Sequence, residues 1–289
     1  MSGKQTAQRG TKSQGTEERR PWGTLVALVI HTTRLQLRSV VVWGVALGLL
    51  NLLTVASFPA VENQSQVLND LVESYPPEMR ELFGIGEGTD LTKIEDFLAA
   101  QTFNFLAPLA LAFFPILASA GAIAGAEERG TIDVLLGNPV PRWQLVAGSF
   151  IATALSLLGI LVILGLFTWV PAVLMDIDLS IRATVEAVLN LWPLCTFFGG
   201  LAMLCSALFH RRALAIAIPG AVLVGMYFVD ALGNTVEELE DARPFTVFYH
   251  YASAIEDGID WASFGGITLV ALLLVLLAAL TFSRRDIYT

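Results

Sequence analysis

A charged segment between two long apolar stretches (residues 127–143, hereafter the charged segment) holds the side chains most suggestive of function. Its acidic residues suit the first turns of a helix, where the helix dipole favours negative charge. Its leucine pair can bury against another protein or against the rest of the chain, and its prolines predict a rigid turn before a second helix. Two short helices that meet at a rigid corner can transmit force. Their residue types do not indicate a catalytic site. The candidate residues are Glu127, Glu128, Arg129, Gly130, Thr131, Leu135, Leu136, Gly137, Pro139 and Arg142.

The sequence lacks the patterns of the common catalytic and metal sites. Its only Gly-Lys pair is Gly3-Lys4, so it has no phosphate-binding P-loop. His31, His210 and His250 lie far apart and show no metal-ligand spacing. No Gly-x-Ser-x-Gly nucleophile elbow occurs. We therefore expect no catalytic residue, metal site or cofactor site in this chain.

The composition is that of a membrane protein. The chain has 289 residues, of which 55% are hydrophobic and only 15% are charged, whereas about 25% of the residues of a soluble domain are charged. A membrane-spanning helix needs about 20 apolar residues, and several runs reach that length. The expected fold is an all-α membrane protein with six spans and both termini on one side. The spans are predicted at about 39–60, 101–126, 147–175, 186–209, 213–233 and 264–283.

Four further segments complete the predicted organisation. Residues 1–20 are polar and are expected to form a disordered tail. Residues 21–38 mix leucines with basic residues, which predicts an amphipathic elbow helix that lies in the membrane interface. Residues 61–100 and 234–262 show short helical patterns interrupted by Gly and Pro, so we expect short helices outside the membrane.

The basic residues predict the orientation. Of the 17 Lys and Arg residues, 13 lie in residues 1–38, the charged segment, residues 210–212 and residues 283–285. The positive-inside rule places these regions in the cytoplasm and places residues 61–100 and 234–262 outside. The outer segments hold most of the acid behind the net charge of −9, and this balance argues against a nucleic acid partner.

The predicted spans contain almost no ionisable residues in their interiors. Ion-coupled transporters usually bury such residues as relays, so their absence favours energy supplied from outside the membrane part. Two glycine pairs at four-residue spacing, Gly44 with Gly48 and Gly121 with Gly125, allow close helix approach. These pairs would serve either the packing of helices within one chain or a seam, between two copies or along the conduit. Five prolines interrupt predicted spans and are candidate hinges: Pro108, Pro115, Pro171, Pro193 and Pro219.

The charged segment resembles the coupling segment of type-2 ATP-binding-cassette (ABC) exporter permeases. In that family an acidic-Arg-Gly-Thr run is followed by an apolar pair, a turn with proline, an arginine and an apolar helix. The order of spans on either side also fits. Pro141 stands where a serine is frequent in the family, and Ser149 stands where a lysine often occurs. The matching positions are residues 127–131, Leu135, Leu136, Pro139, Val140 and Arg142.

The resemblance implies a prokaryotic permease subunit in the plasma membrane, with residues 39–289 as one six-span domain. A separate cytoplasmic ABC ATPase would bind ATP and Mg, and the permease would move an amphiphilic drug, antibiotic or lipid outward. A second copy or a related permease would pair with it, and lipid would surround it. The charged segment would then face water or the ATPase, so reversing the charge of Glu128 is expected to spare folding. Alternatives are a permease for metalloenzyme maturation, similar to that of nitrous oxide reductase systems, and a six-span membrane enzyme or receptor.

Overall fold

The computed structural model shows an all-helical chain over the part that it describes. Five of its helices are long and apolar enough to cross a membrane, and a sixth candidate is a bent helix pair. This confirms the predicted class, an all-helical membrane protein, and the predicted number of six spans is reached if the bent pair counts as one span. The five long helices are α1 (Pro21–Glu62), α5 (Arg142–Leu174), α6 (Ile181–Leu208), α7 (Arg212–Leu232) and α11 (Trp261–Arg284). The structure describes residues 21–62, 74–76, 79–80, 90, 92–130, 141–233, 236–251 and 254–284.

The second predicted span is a series of helical pieces rather than one helix. The first break lies at Asn104 and Phe105, where the axis bends by 41°. Pro108 explains this break, because proline has no N–H to donate to the carbonyl of Asn104 four residues earlier. Pro108 is therefore a point of bending, as the sequence suggested. The pieces are α2 (Ile94–Leu98), a π-helical turn (Ala99–Phe103), α3 (Leu106–Ala122) and α4 (Ala124–Glu128).

A serine from a neighbouring helix stabilises the second break, at Ile123. The backbone N–H of Ala124 donates to Ser206 Oγ over 2.9 Å, and the hydroxyl donates to the carbonyl of Ala120 over 3.3 Å. The hydroxyl thus replaces helix hydrogen bonds that the break removes, which is a common cause of a kink. Because Ser206 belongs to α6, the end of the second span is fixed to the centre of the bundle.

Helices α1 and α5 pack side by side, and the first glycine pair lies in their interface. A Cβ atom added to Gly44 would lie 2.8 Å from Ile163, and one added to Gly48 would lie 2.8 Å from Phe167. These glycines therefore let two helices of one chain approach closely. The contacts advance in the same direction along both sequences, so α1 and α5 run parallel and begin at the same end of the bundle.

The predicted elbow is not a separate element in this structure. Residues 21–38 are the first part of the continuous helix α1, and they pack along α5 like the rest of it. A Cβ atom on Gly148 would lie 2.7 Å from Leu28, and Gln36 Nε2 donates to Thr153 Oγ1 over 3.2 Å. The pattern of leucines and basic residues predicted a change of environment along α1, but residues 24–38 contain no proline or glycine that could break the helix.

Helix α6 is the centre of the bundle and contacts α3, α5, α7 and α11. The glycines at its middle allow this, since an added Cβ would lie 2.9 Å from Pro115 at Gly199 and 2.9 Å from the carbonyl oxygen of Ala271 at Gly200. Cys195 and Cys205 are buried on α6 and form no disulfide. The interpretation of both cysteines as packing residues is confirmed.

Short helices occupy part of residues 234–262, whereas their location outside the membrane stays a prediction. Tyr251 fixes them to the bundle, because its hydroxyl donates to the carbonyl of Phe103 over 3.0 Å and its own carbonyl accepts from Asn190. Most of residues 61–100 lies outside the described part of the chain. The short helices are α8 (Glu237–Glu240), a 3-10 turn (Arg243–Phe245), α9 (Val247–Tyr251) and α10 (Ala254–Asp257).

Candidate functional site

The structure describes the two ends of the charged segment. Its first four residues and the residues from Pro141 onward are placed, whereas residues 131–140 lie outside the described part. The predictions for Thr131, Leu135, Leu136, Gly137 and Pro139 therefore stay predictions. The candidates that can be placed are Glu127, Glu128, Arg129, Gly130 and Arg142.

The acidic pair lies at the end of a very short helix. Glu127 and Glu128 are the last two of the five residues of α4, and Glu127 also belongs to its first turn, so the prediction of acid in the first turn of a helix holds for Glu127. Gly130 follows with a φ of +64°, and its N–H donates to the carbonyl of Glu127 over 2.9 Å. A left-handed glycine of this kind closes a helix and redirects the chain, which agrees with the bend predicted at Gly130.

Glu128 instead caps a different helix. Its Oε1 accepts a hydrogen bond of 2.7 Å from the backbone N–H of Arg212, the first residue of α7. Arg211, at the N-cap position of α7, provides no side-chain cap of its own. The first N–H groups of a helix lack partners within the helix and carry partial positive charge, so a carboxylate is well suited to this position. Glu128 is exposed, as predicted, and one of its carboxylate oxygens also binds the backbone of α7.

Close packing around Gly125 supports the Glu128 contact. A Cβ atom at Gly125 would lie 3.1 Å from Cδ of Arg212 and 3.3 Å from Nη1 of Arg129. Gly125 thus serves a contact within the chain, whereas nothing lies within 4 Å of the same position on Gly121. Arg129 Nη2 donates to the carbonyl of Gly121 over 3.4 Å, which places a cation at the carboxyl end of α3.

Arg142 fixes the other end of the charged segment. Its Nη1 donates to the carbonyl of Phe282 over 3.4 Å, and the guanidinium carbon lies 5.8 Å from the centre of the Phe282 ring. Phe282 is fully buried near the carboxyl end of α11, where the helix dipole favours a cation. Pro141 precedes α5 as its N-cap residue, which agrees with the predicted turn before a second helix.

Both ends of the charged segment are thus joined to the termini of other helices by complementary charge. An acid binds the amino end of α7, and a base binds the carboxyl end of α11. Beneath them, one apolar cluster combines residues of α4, α5, α6 and α11. This arrangement allows a displacement of the segment to reach four helices. The buried members of the cluster are Ile123, Ala126, Leu145, Val146, Phe150, Met203, Ala207, Val275, Ala278 and Phe282.

An open cavity lies at the opposite end of the bundle, between α6, α7, α11 and the short helices near Tyr251. Its volume is about 530 Å³. Most of its walls are apolar, and polar atoms are contributed by Thr246, His250 and Ser263. Within the described ranges, no three His, Cys, Asp or Glu side chains are grouped so that they could hold a metal ion. The cavity therefore suits an amphiphilic molecule better than an ion.

Comparison with known protein families gives one match. The family model described as "Multidrug efflux system permease Rv1217c, C-terminal domain" matches residues 26–283. The match includes all five long helices almost completely, together with both ends of the charged segment. A search of curated proteins finds no match to this chain.

Proposed function

The chain belongs to the family of the C-terminal domain of the multidrug efflux system permease Rv1217c, and from this premise we propose that it is the membrane subunit of an ATP-driven exporter of the ABC type. A separate cytoplasmic ATPase binds ATP and Mg and contacts the charged segment. This chain forms the path for the cargo and binds no cofactor. A second copy of the chain, or a related permease, completes the transporter in the plasma membrane.

The attachment of the charged segment to the bundle is the observation that supports this proposal most. Glu128 connects the segment to the amino end of α7, and Arg142 connects it to the carboxyl end of α11. Neither helix is adjacent to the segment in the sequence. A loop that served only to join two spans would not need contacts with the ends of α7 and α11. A segment that receives force from another subunit needs such contacts, because the force has to reach the helices.

The cargo proposed is an amphiphilic drug or antibiotic, or a lipid. The family description names multidrug efflux, which favours this class over metalloenzyme maturation and over a membrane enzyme or receptor. The largely apolar cavity with polar atoms at Thr246, His250 and Ser263 supports an amphiphilic cargo. Its position at the end of the bundle away from the charged segment suits release to the outside.

We propose that both termini and the charged segment are cytoplasmic, and labelling of single cysteines tests this. Cys195 and Cys205 are first replaced by alanine, and then cysteine is introduced at Asp178 or at Ala213, which are exposed at opposite ends of the bundle. An impermeant maleimide is expected to label Asp178→Cys in intact cells and Ala213→Cys only after permeabilisation. The reverse pattern would contradict the orientation.

Purification tests the proposal that a separate subunit, and not this chain, hydrolyses ATP. Extraction of the tagged chain in mild detergent is expected to recover a second polypeptide with a P-loop and ATPase activity. After that polypeptide is removed, the chain alone is expected to hydrolyse no ATP, because it has no P-loop. Sustained hydrolysis by a preparation in which this chain is the only polypeptide would refute the proposal.

A further inference from the structure

We propose that Glu128 is a positioning residue that transmits movement of the charged segment to helix α7 through its hydrogen bond to the backbone of Arg212. The inference rests on the proposed function, because it takes the charged segment as the part that moves with the ATPase. It goes further by naming the helix that receives the movement and the atom pair that carries it. The pair is Oε1 of Glu128 and the backbone N–H of Arg212, 2.7 Å apart.

Helix α7 is attached to the bundle in a way that permits movement. Its buried residues form a single narrow stripe at four-residue spacing: Ala215, Pro219, Leu223, Tyr227 and Ala231. Most of the central helix α6, by contrast, is buried. A helix that is held along one stripe shifts at a lower cost than one that is packed on all sides. The contacts at the ends of α7 therefore have a large share in setting its position.

Polar contacts hold α7 at each of its ends. At the far end, Asp230 pairs with Arg243 over 3.4 Å. At the near end, the carboxylate of Glu128 is the side chain that caps the helix, since Arg211 does not do so. A displacement of α4 either pulls the first turn of α7 with it or breaks this cap. In both cases the state of the charged segment changes the position of α7.

The residues next to Glu128 make the contact specific. Gly125 lets α4 approach Arg212 closely, so α4 lies against the first turn of α7. Arg129 bonds to the carbonyl of Gly121 in α3, which keeps the end of α4 attached to its own span. Of the side chains of Glu128 and Arg129, that of Glu128 bonds to the backbone of α7.

The test separates loss of a helix cap from loss of the link between two helices. Glu128→Ala removes both. Adding Arg211→Ser supplies α7 with a capping side chain at its own N-cap position, without restoring the link to α4. Glu128→Gln retains an acceptor oxygen for the N–H of Arg212. Arg211→Ser alone and Glu240→Ala, which removes an exposed carboxylate elsewhere, are the matched controls.

Two measurements are made on the full-length chain in its complex: the melting temperature after purification, and ethidium efflux from cells. Glu128→Ala is expected to lower the melting temperature by a few degrees, as loss of a helix cap does, and to lower efflux roughly tenfold, within the usual range of coupling between sites. The double variant Glu128→Ala with Arg211→Ser is expected to regain the melting temperature but not the efflux. Glu128→Gln is expected to keep most of both, and the controls are expected to match the parent.

Full recovery of efflux in the double variant would show that Glu128 only stabilises α7, and it would overturn the inference. Parental efflux in Glu128→Ala would overturn it as well. The efflux assay makes no assumption about the energy source, so the two proposals fail separately. Efflux that follows the expected pattern without needing ATP would refute the proposed function and retain the link. ATP-dependent efflux that is unaffected by substitution of Glu128 would overturn the inference and leave the proposed function intact.

Discussion

Replacement of Gly200 by leucine is expected to prevent the accumulation of folded protein. Gly200 lies on the central helix α6, and a Cβ atom added there would lie 2.9 Å from the backbone carbonyl oxygen of Ala271 and 3.5 Å from Cβ of Leu274. A backbone oxygen cannot rotate away as a side chain can, so helix α11 has to move. Overpacking of a core costs about 1–3 kcal/mol and more when the backbone shifts, out of a total stability that is typically about 5–15 kcal/mol.

The expected effect is measured as the yield of monodisperse protein in size-exclusion chromatography and as its melting temperature. Gly225→Leu is the matched control, because Gly225 also lies within a predicted span and has no atom within 4 Å of an added Cβ. We expect Gly225→Leu to give parental yield and Gly200→Leu to give almost none. A parental yield and melting temperature for Gly200→Leu would show that α6 and α11 do not pack as described.

The apolar runs of the sequence were sufficient to predict the class of fold and the approximate spans. They could not predict where a span breaks, because a break depends on local backbone chemistry and on neighbouring helices. Pro108 was recognised as a candidate hinge, and the axis does bend beside it. The break at Ile123 depends on Ser206, which comes from a helix about 80 residues later and leaves no local signal.

The glycine spacing predicted that two helices approach closely, but it did not predict which helix would be the neighbour. The Gly44 and Gly48 pair predicted a close helix approach, and the structure shows that the neighbour is α5 of the same chain. The elbow was predicted from the mixture of leucines and basic residues in residues 21–38. Such a pattern reports the environment of a helix and does not by itself end the helix. Residues 21–38 therefore continue into the first span without interruption.

The charged segment was found from its composition, but the roles of its residues were not. Glu128 and Arg212 are 84 residues apart, and Arg142 and Phe282 are 140 residues apart. No periodicity in a single sequence connects positions at such distances. The principle that acids favour helix amino ends holds for Glu127 in the first turn of α4. It holds as well for Glu128 at the amino end of α7, but that contact depends on the packing of α4 against α7, which the sequence did not reveal.

Loss of ATP hydrolysis in the partner subunit is expected to reduce efflux to the background of cells without the transporter. The chain has no P-loop of its own. Two acids in the described long helices form ion pairs near a helix end, Glu186 with Arg182 and Asp230 with Arg243, and such pairs do not resemble the buried relay of an ion-coupled carrier. Under the proposed function, another subunit delivers the energy and the charged segment receives it.

Transport into inside-out membrane vesicles measures this directly. Vesicles that contain the chain and its partner are given ethidium with ATP, with a non-hydrolysable ATP analogue, or with a proton gradient alone. A second preparation carries a partner whose P-loop lysine is replaced by alanine. The account predicts uptake only with hydrolysable ATP and an intact P-loop, and no effect of a proton ionophore. Uptake that is driven by the proton gradient and persists with the altered P-loop would contradict it.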